Sequence, residues 1–155
     1  GMKIIYHNRN RVDEKKESEL QARYMESAED LVREADIISL NCPLNDDTHH
    51  LIDETMLAEM SNDTILINTA RGAVIDEDAL AEALHSGQIA GAGLDVFEEE
   101  PKTDPDLLTA PNTVLTPHIG SATHEARTKM GFLAVDAILD TLDGKPSDEI
   151  PNLVT

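Results

Sequence analysis

Tryptophan is absent from the 155 residues, and only two phenylalanines and two tyrosines are present. Proteins that hold single-stranded nucleic acid stack its bases on such rings, so that ligand loses its platform. Basic charge is scarce too: twelve Lys and Arg stand against thirty-one Asp and Glu, for a formal net charge of −19. A surface that negative repels phosphate backbones and anionic headgroups, which argues against nucleic acid and membrane partners. Cys42 is the only cysteine, so no internal disulfide can form and nothing marks an oxidising compartment. No run nears the ~20 apolar residues of a membrane span, and the N-terminus lacks a signal peptide's basic-then-apolar layout. The expectation is a cytoplasmic chain with one core of ordinary size.

What is present is alternation. Short apolar runs at Lys3–His7, Ile37–Leu40, Thr64–Asn68, Ile89–Leu94 and Thr113–Thr116 read as strands. They are nearly continuous in small or branched residues, as parallel strands covered on both faces are. Helix signals lie between them. Ser27 caps a helix through Ala35, Asp53 caps Glu54–Met60, and Asp76 caps Glu77–Ser86, which Gly87 ends. A last helix, about Thr123 to Asp143, carries Met130, Leu133, Ala134, Ala137 and Ile138 on one stripe. The charged stretch from Asn10 to Tyr24 reads as a solvated connection, and the tail after Gly144 as extended. Strand-helix alternation implies right-handed crossovers and an α/β fold with an open parallel sheet.

Ligands of such sheets sit beyond the carboxyl ends of the strands. Three strands here run into unusual polar residues: Arg71, then Asp95 with the acidic FEEEP stretch, then Pro117-His118-Ile119-Gly120. Singly, each has an ordinary use, as a surface ion pair, a solvated turn or a helix cap. Together they suit one chemistry. Arg offers a planar fork that orients a carboxylate or oxo group, and a His beside a carboxylate can deliver a proton. Adjacent His49 and His50, near Asp46 and Asp47, read as a surface loop rather than a metal site, because neighbouring helical residues point apart. Cys42 has no visible activating base and reads as packing.

The stretches NTARGAVIDEDALAEAL, GAGLDVFEEEP and LTPHIGSATHEAR, in that order, closely resemble the D-isomer-specific 2-hydroxyacid dehydrogenases. ADIISLNCPLNDDTHHLIDETMLAEM resembles the same family's preceding segment, so the resemblance spans nearly the whole chain. It implies a Rossmann-like sheet and reduction of a small 2-oxo acid, of glyoxylate or hydroxypyruvate type, with NADP or NAD. Arg71 would bind the substrate carboxylate and carbonyl oxygen, His118 would be the acid/base, and Glu100 would hold His118. Asp95 would contact the nicotinamide end of the cofactor and Thr69 and Ala70 its ribose. Cys42, Pro43 and Leu44 would line the adenine side, and Gly120 would let the backbone approach the ligand. Glu100 and the PHIGSAT stretch point away from the formate dehydrogenase branch. After the first strand, NAD-preferring members usually carry an acid; here Asn8, Arg9 and Arg11 stand instead, which favours NADP.

No G-x-G-x-x-G occurs; Gly91-Ala92-Gly93 has Val96 where the third glycine belongs. By the resemblance, that turn follows a central strand preceding the one at Lys3–His7. The chain is therefore expected to lack its first, central strand and phosphate-binding turn. Residues 1–144 would be a partial dinucleotide-binding domain, with 145–155 belonging to a substrate domain. A sheet with such a slot is expected to pair as a homodimer or by strand exchange. The competing expectation is an inactive nucleotide- or partner-binding module of the same descent.

Overall fold

Helix caps and branched apolar runs together set the architecture of the computed structural model, which describes residues 1–150. The chain divides into two compact units, one from Gly1 to Pro117 and one from His118 onward.

In the first unit, β1 (Ile4–Tyr6) leads through α1 (Glu14–Leu20) to β2 (Ala22–Tyr24), and the strands pair in parallel with Tyr6 opposite Tyr24. The Asn10–Tyr24 stretch is thus a helix and a strand, not a bare connection. Its local signals are weak: α1 buries none of its residues, and β2 is three residues long. Side chains far apart in sequence complete it. Glu17 on α1 accepts from the Tyr6 hydroxyl at 2.5 Å and from Arg11 Nε and Nη2 at 2.7 Å each. The Tyr6 and Tyr24 rings meet edge-on, centroids 5.4 Å apart.

A second parallel sheet runs β3 (Ile37–Leu40), β4 (Ile65–Asn68), β5 (Gly91–Leu94) and β6 (Thr113–Leu115) in that spatial order. Leu40 stands opposite Asn68 and Asn68 opposite Leu94, so the carboxyl ends of the strands share one rim. Among the described residues no ladder joins β1 to β3; each sheet ends there. The strands form two separate parallel sheets among the described residues.

Caps place the helices as the sequence indicates. Ser27 accepts from Asp30 N to start α2 (Ala28–Glu34), Asp53 from Met56 N to start α3 (Glu54–Ala58), and Asp76 from Ala79 N to start α4 (Glu77–Ser86). α4 ends on Gly87 at φ 74, the left-handed geometry glycine takes without strain. A further short helix, α5 (Pro105–Thr109), is capped by Asp104 with Pro at its first position. The core gathers Leu66 from β4, Leu80 from α4 and Leu107 from α5, each without solvent exposure.

In the second unit, Thr123 caps α6 (His124–Leu142). Its apolar stripe is not covered by the described residues: Met130 is 57% exposed and Ile138 59%. After Gly144 the chain forms a 3-10 turn at Ser147–Glu149 before Ile150, so this part of the tail is not extended. The remainder, 151–155, lies outside the described residues. No helix among them is long and apolar enough to cross a membrane.

Candidate active site

The turn after β4 is built by a buried polar side chain. Asn68, 1% exposed, closes the strand and works in both directions. Its Oδ1 accepts from Ala70 N at 3.0 Å, and its Nδ2 donates to Arg71 O at 2.9 Å. Thr69, Ala70 and Arg71 are thereby wrapped around one amide at the sheet's carboxyl rim. Arg71 is exposed, with Nη1 donating to Ala70 O at 2.7 Å. Asn68 was not among the residues singled out from the sequence. The available signal was its register, two residues beyond buried Leu66 on an otherwise apolar strand.

Gly72 follows because nothing larger fits. A Cβ there would lie 1.9 Å from the Phe97 carbonyl carbon and 2.2 Å from Glu98 N. The Arg71 turn therefore rides directly on the backbone that opens the acidic stretch after β5. On the neighbouring strand, Asp95 is 8% exposed; its backbone N donates to Asn68 O at 3.0 Å, and its Oδ1 accepts from Thr116 Oγ1 at 2.5 Å. Asn68, Arg71 and Asp95 are thus one connected rim across β4 and β5, continued to Thr116 after β6.

The three glutamates of FEEEP are used differently. Glu100 Oε1 accepts from Phe97 N at 3.1 Å. Glu98 turns to His50, and its backbone N donates to Glu77 Oε1 at 2.7 Å. Burial pushes the Glu77 carboxyl above its ordinary value, the Glu98 amide opposing this in part. His118 and Gly120 open the second unit; His118 is exposed and takes φ 51, a left-handed conformation uncommon outside glycine.

After β3, Cys42 is half-buried and free, its thiol pushed up by burial, as a packing cysteine is. Pro43 O accepts from Thr48 Oγ1 at 2.6 Å, and Leu44 is exposed. After β1, Asn8 Oδ1 accepts from Arg9 N, and Arg9 approaches Asp47 at 3.9 Å with most of its side chain in solvent. That pair brings the carboxyl end of β1 beside the loop after β3. Arg11 is committed elsewhere: both forks of its guanidinium are on Glu17, and it lies 5.4 Å from the Tyr24 ring centre. Both arginines expected at a cofactor phosphate are exposed, and Arg11 differs from Arg9 in having its guanidinium held by Glu17.

Comparison with known proteins follows the same residues. Glyoxylate reductase of Thermococcus litoralis is 51% identical over 154 residues, 99% of this chain and 45% of that protein. Glyoxylate/hydroxypyruvate reductase B of Klebsiella pneumoniae is 48% identical over 145 residues, 93% of the chain and 44% of that protein. The chain thus spans about 45% of the length of these relatives. Among solved structures, holo D-mandelate dehydrogenase of Rhodotorula graminis superposes with a TM-score of 0.89 at 40% identity, over 94% of this chain and 43% of that one. The NADPH-dependent glyoxylate/hydroxypyruvate reductase of Sinorhizobium meliloti, in complex with NADP and malonate, gives 0.84 at 35% identity, over 90% and 42%. Residues 1–120 match the family model described as D-isomer specific 2-hydroxyacid dehydrogenase, NAD binding domain, and the chain belongs to that family of NAD(P)-dependent oxidoreductases.

Proposed function

We propose that this chain is the nucleotide-binding part of a reductase that converts a small 2-oxo acid, of glyoxylate or hydroxypyruvate type, to the D-2-hydroxy acid. The observation that carries this reading is the rim held by Asn68, which presents Arg71 beside Asp95 at the carboxyl ends of adjacent strands. Residues 1–144 make up the nucleotide-binding part, and 145–155 go with the substrate side.

The chain's own groups divide the work. The Arg71 fork holds the substrate carboxylate and its oxo oxygen, charge-assisted contacts worth roughly 1.5–3 kcal/mol each. His118 gives a proton to that oxygen as it becomes an alkoxide, and Glu100 orients the imidazole. NADPH, when bound, supplies the hydride. Asp95 would face the nicotinamide end, Thr69 and Ala70 the adjoining ribose, and Cys42, Pro43 and Leu44 the adenine side, with Gly120 allowing close backbone approach. The residues present suit the phosphorylated cofactor at one point: exposed Arg9, beside Asn8, stands where an acid would select the unphosphorylated ribose. Arg11 joins it only by leaving Glu17.

A second reading rests on the family match itself, whose model over residues 1–120 describes an NAD binding domain. The chain would then bind a nucleotide or a partner without turnover. NADPH and NADH oxidation with glyoxylate, beside His118→Ala, separates the two. Turnover abolished by the substitution supports the reductase. Cofactor binding without turnover, in folded protein, supports the binding module.

A further inference from the structure

Outside the rim just described, one cluster of side chains has no part in the proposed reaction. His49 and His50 lie in the loop before α3, not on a helix, and their rings stack with centroids 4.0 Å apart and planes 28° from parallel. His50 takes φ 50, and its backbone N donates to Ala73 O at 2.8 Å, so the second ring leaves the chain on the same side as the first. Across from them stands Glu98, whose Oε1 is 3.1 Å from His50 Nε2. One ligating atom from each of His49, His50 and Glu98 lies within 4.8 Å of the others.

The shortest of these distances is that between neighbouring ligands of a metal shell. A zinc-class ion holds nitrogen and oxygen ligands at about 2.0–2.2 Å in tetrahedral array, which sets neighbouring ligand atoms about 3.3 Å apart. The His50–Glu98 pair already has that spacing. Behind His50, Asp76 Oδ2 is 3.8 Å from Nδ1, the carboxylate-behind-histidine arrangement that orients a ligating ring. The backbone under the donors is fixed: the Ile52–Ile75 bridge anchors the loop, and Glu77 holds the Glu98 amide. The residue types, two imidazoles and a carboxylate, suit zinc, cobalt or nickel better than calcium or magnesium.

We infer that His49, His50 and Glu98 form a binding site for one divalent transition-metal ion, with Asp76 orienting His50 and the fourth position left to water. The ion ties the loop after β3 to the acidic stretch after β5, across the backbone contact that Gly72 makes with Phe97 and Glu98. It therefore braces the base of the Arg71 turn. With three protein ligands and an open position, the shell resembles exchangeable sites rather than closed structural ones.

Equilibrium dialysis of the full chain against Zn2+, with Co2+ absorption reporting coordination geometry, tests this. The expected result is one ion per chain, a tetrahedral cobalt spectrum and a zinc-dependent rise in Tm. Glu98→Gln and His50→Gln should each weaken binding about tenfold or more and remove the Tm rise, while His85→Gln, remote from the cluster, leaves both unchanged. Asp76→Asn should weaken binding less than loss of a direct ligand. Zinc bound equally well by Glu98→Gln and His50→Gln, or no zinc retained by the folded wild-type chain, would overturn the assignment.

Discussion

Gly72 shows how little freedom the candidate site leaves at single positions. Its Cα faces the Phe97 carbonyl so closely that one methyl group would sit 1.9 Å from a backbone carbon, which cannot rotate away. Gly72→Ala is expected to cost about 2 kcal/mol or more, read as a lowered urea midpoint, and to push the Arg71 turn off the FEEEP backbone. A variant as stable as wild type would mean the two segments part freely. Arg71 and Asp95 stand out in the sequence as charged residues after apolar runs, whereas Glu100 is singled out by the family resemblance alone. Asn68 was less legible, since one buried amide at a strand's end looks like any polar terminus until its two hydrogen bonds are seen. The pairing of His50 with Glu98 joins residues 48 apart and could not be read from spacing at all.

At the scale of elements, legibility follows where the stabilising contacts come from. α2, α4 and α6 carry local caps, and their starts were read to within a residue. α1 and β2 depend on β1, and nothing within Asn10–Tyr24 announces that dependence. Its main polar tie is Glu17, whose carboxyl is held down at about 2 by Arg11 and then by the Tyr6 hydroxyl, against an ordinary value of 4.5. A depressed acid contributes its stability above the unfolded value and loses it as pH falls through the folded one. The stability lead of wild type over Glu17→Gln is therefore expected in full above about pH 4.5 and should vanish towards pH 2. Urea midpoints of both proteins across that window are the check. A constant difference would mean Gln keeps the tie and the charge is incidental. The Glu17 side chain also occupies Arg11, so the same substitution should release that guanidinium for an anionic ligand at the end of β1.

At the scale of the whole chain, the described residues form two separate parallel sheets. β1 and β3 each keep one side of the backbone unladdered among the described residues, and Ile4 and Ile37 on them are 45% and 52% exposed. Unpaired edges beside apolar surface recruit other strands. The Ile65 amide donates to Asp36 O, so along β3 the alternate residues Ile37 and Ser39 direct their backbone groups away from β4. Consistent with this, the Ser39 carbonyl accepts from the Asn41 side chain at 3.1 Å rather than from a strand. An extended segment of a second copy would satisfy the β3 edge. Sedimentation velocity should therefore show concentration-dependent association of the wild-type chain. Ser39→Pro removes a donor that β4 does not use, so it should abolish association while leaving the fold intact by circular dichroism. A wild-type chain that stays monomeric at all concentrations would mean that side chains and solvent suffice at these edges.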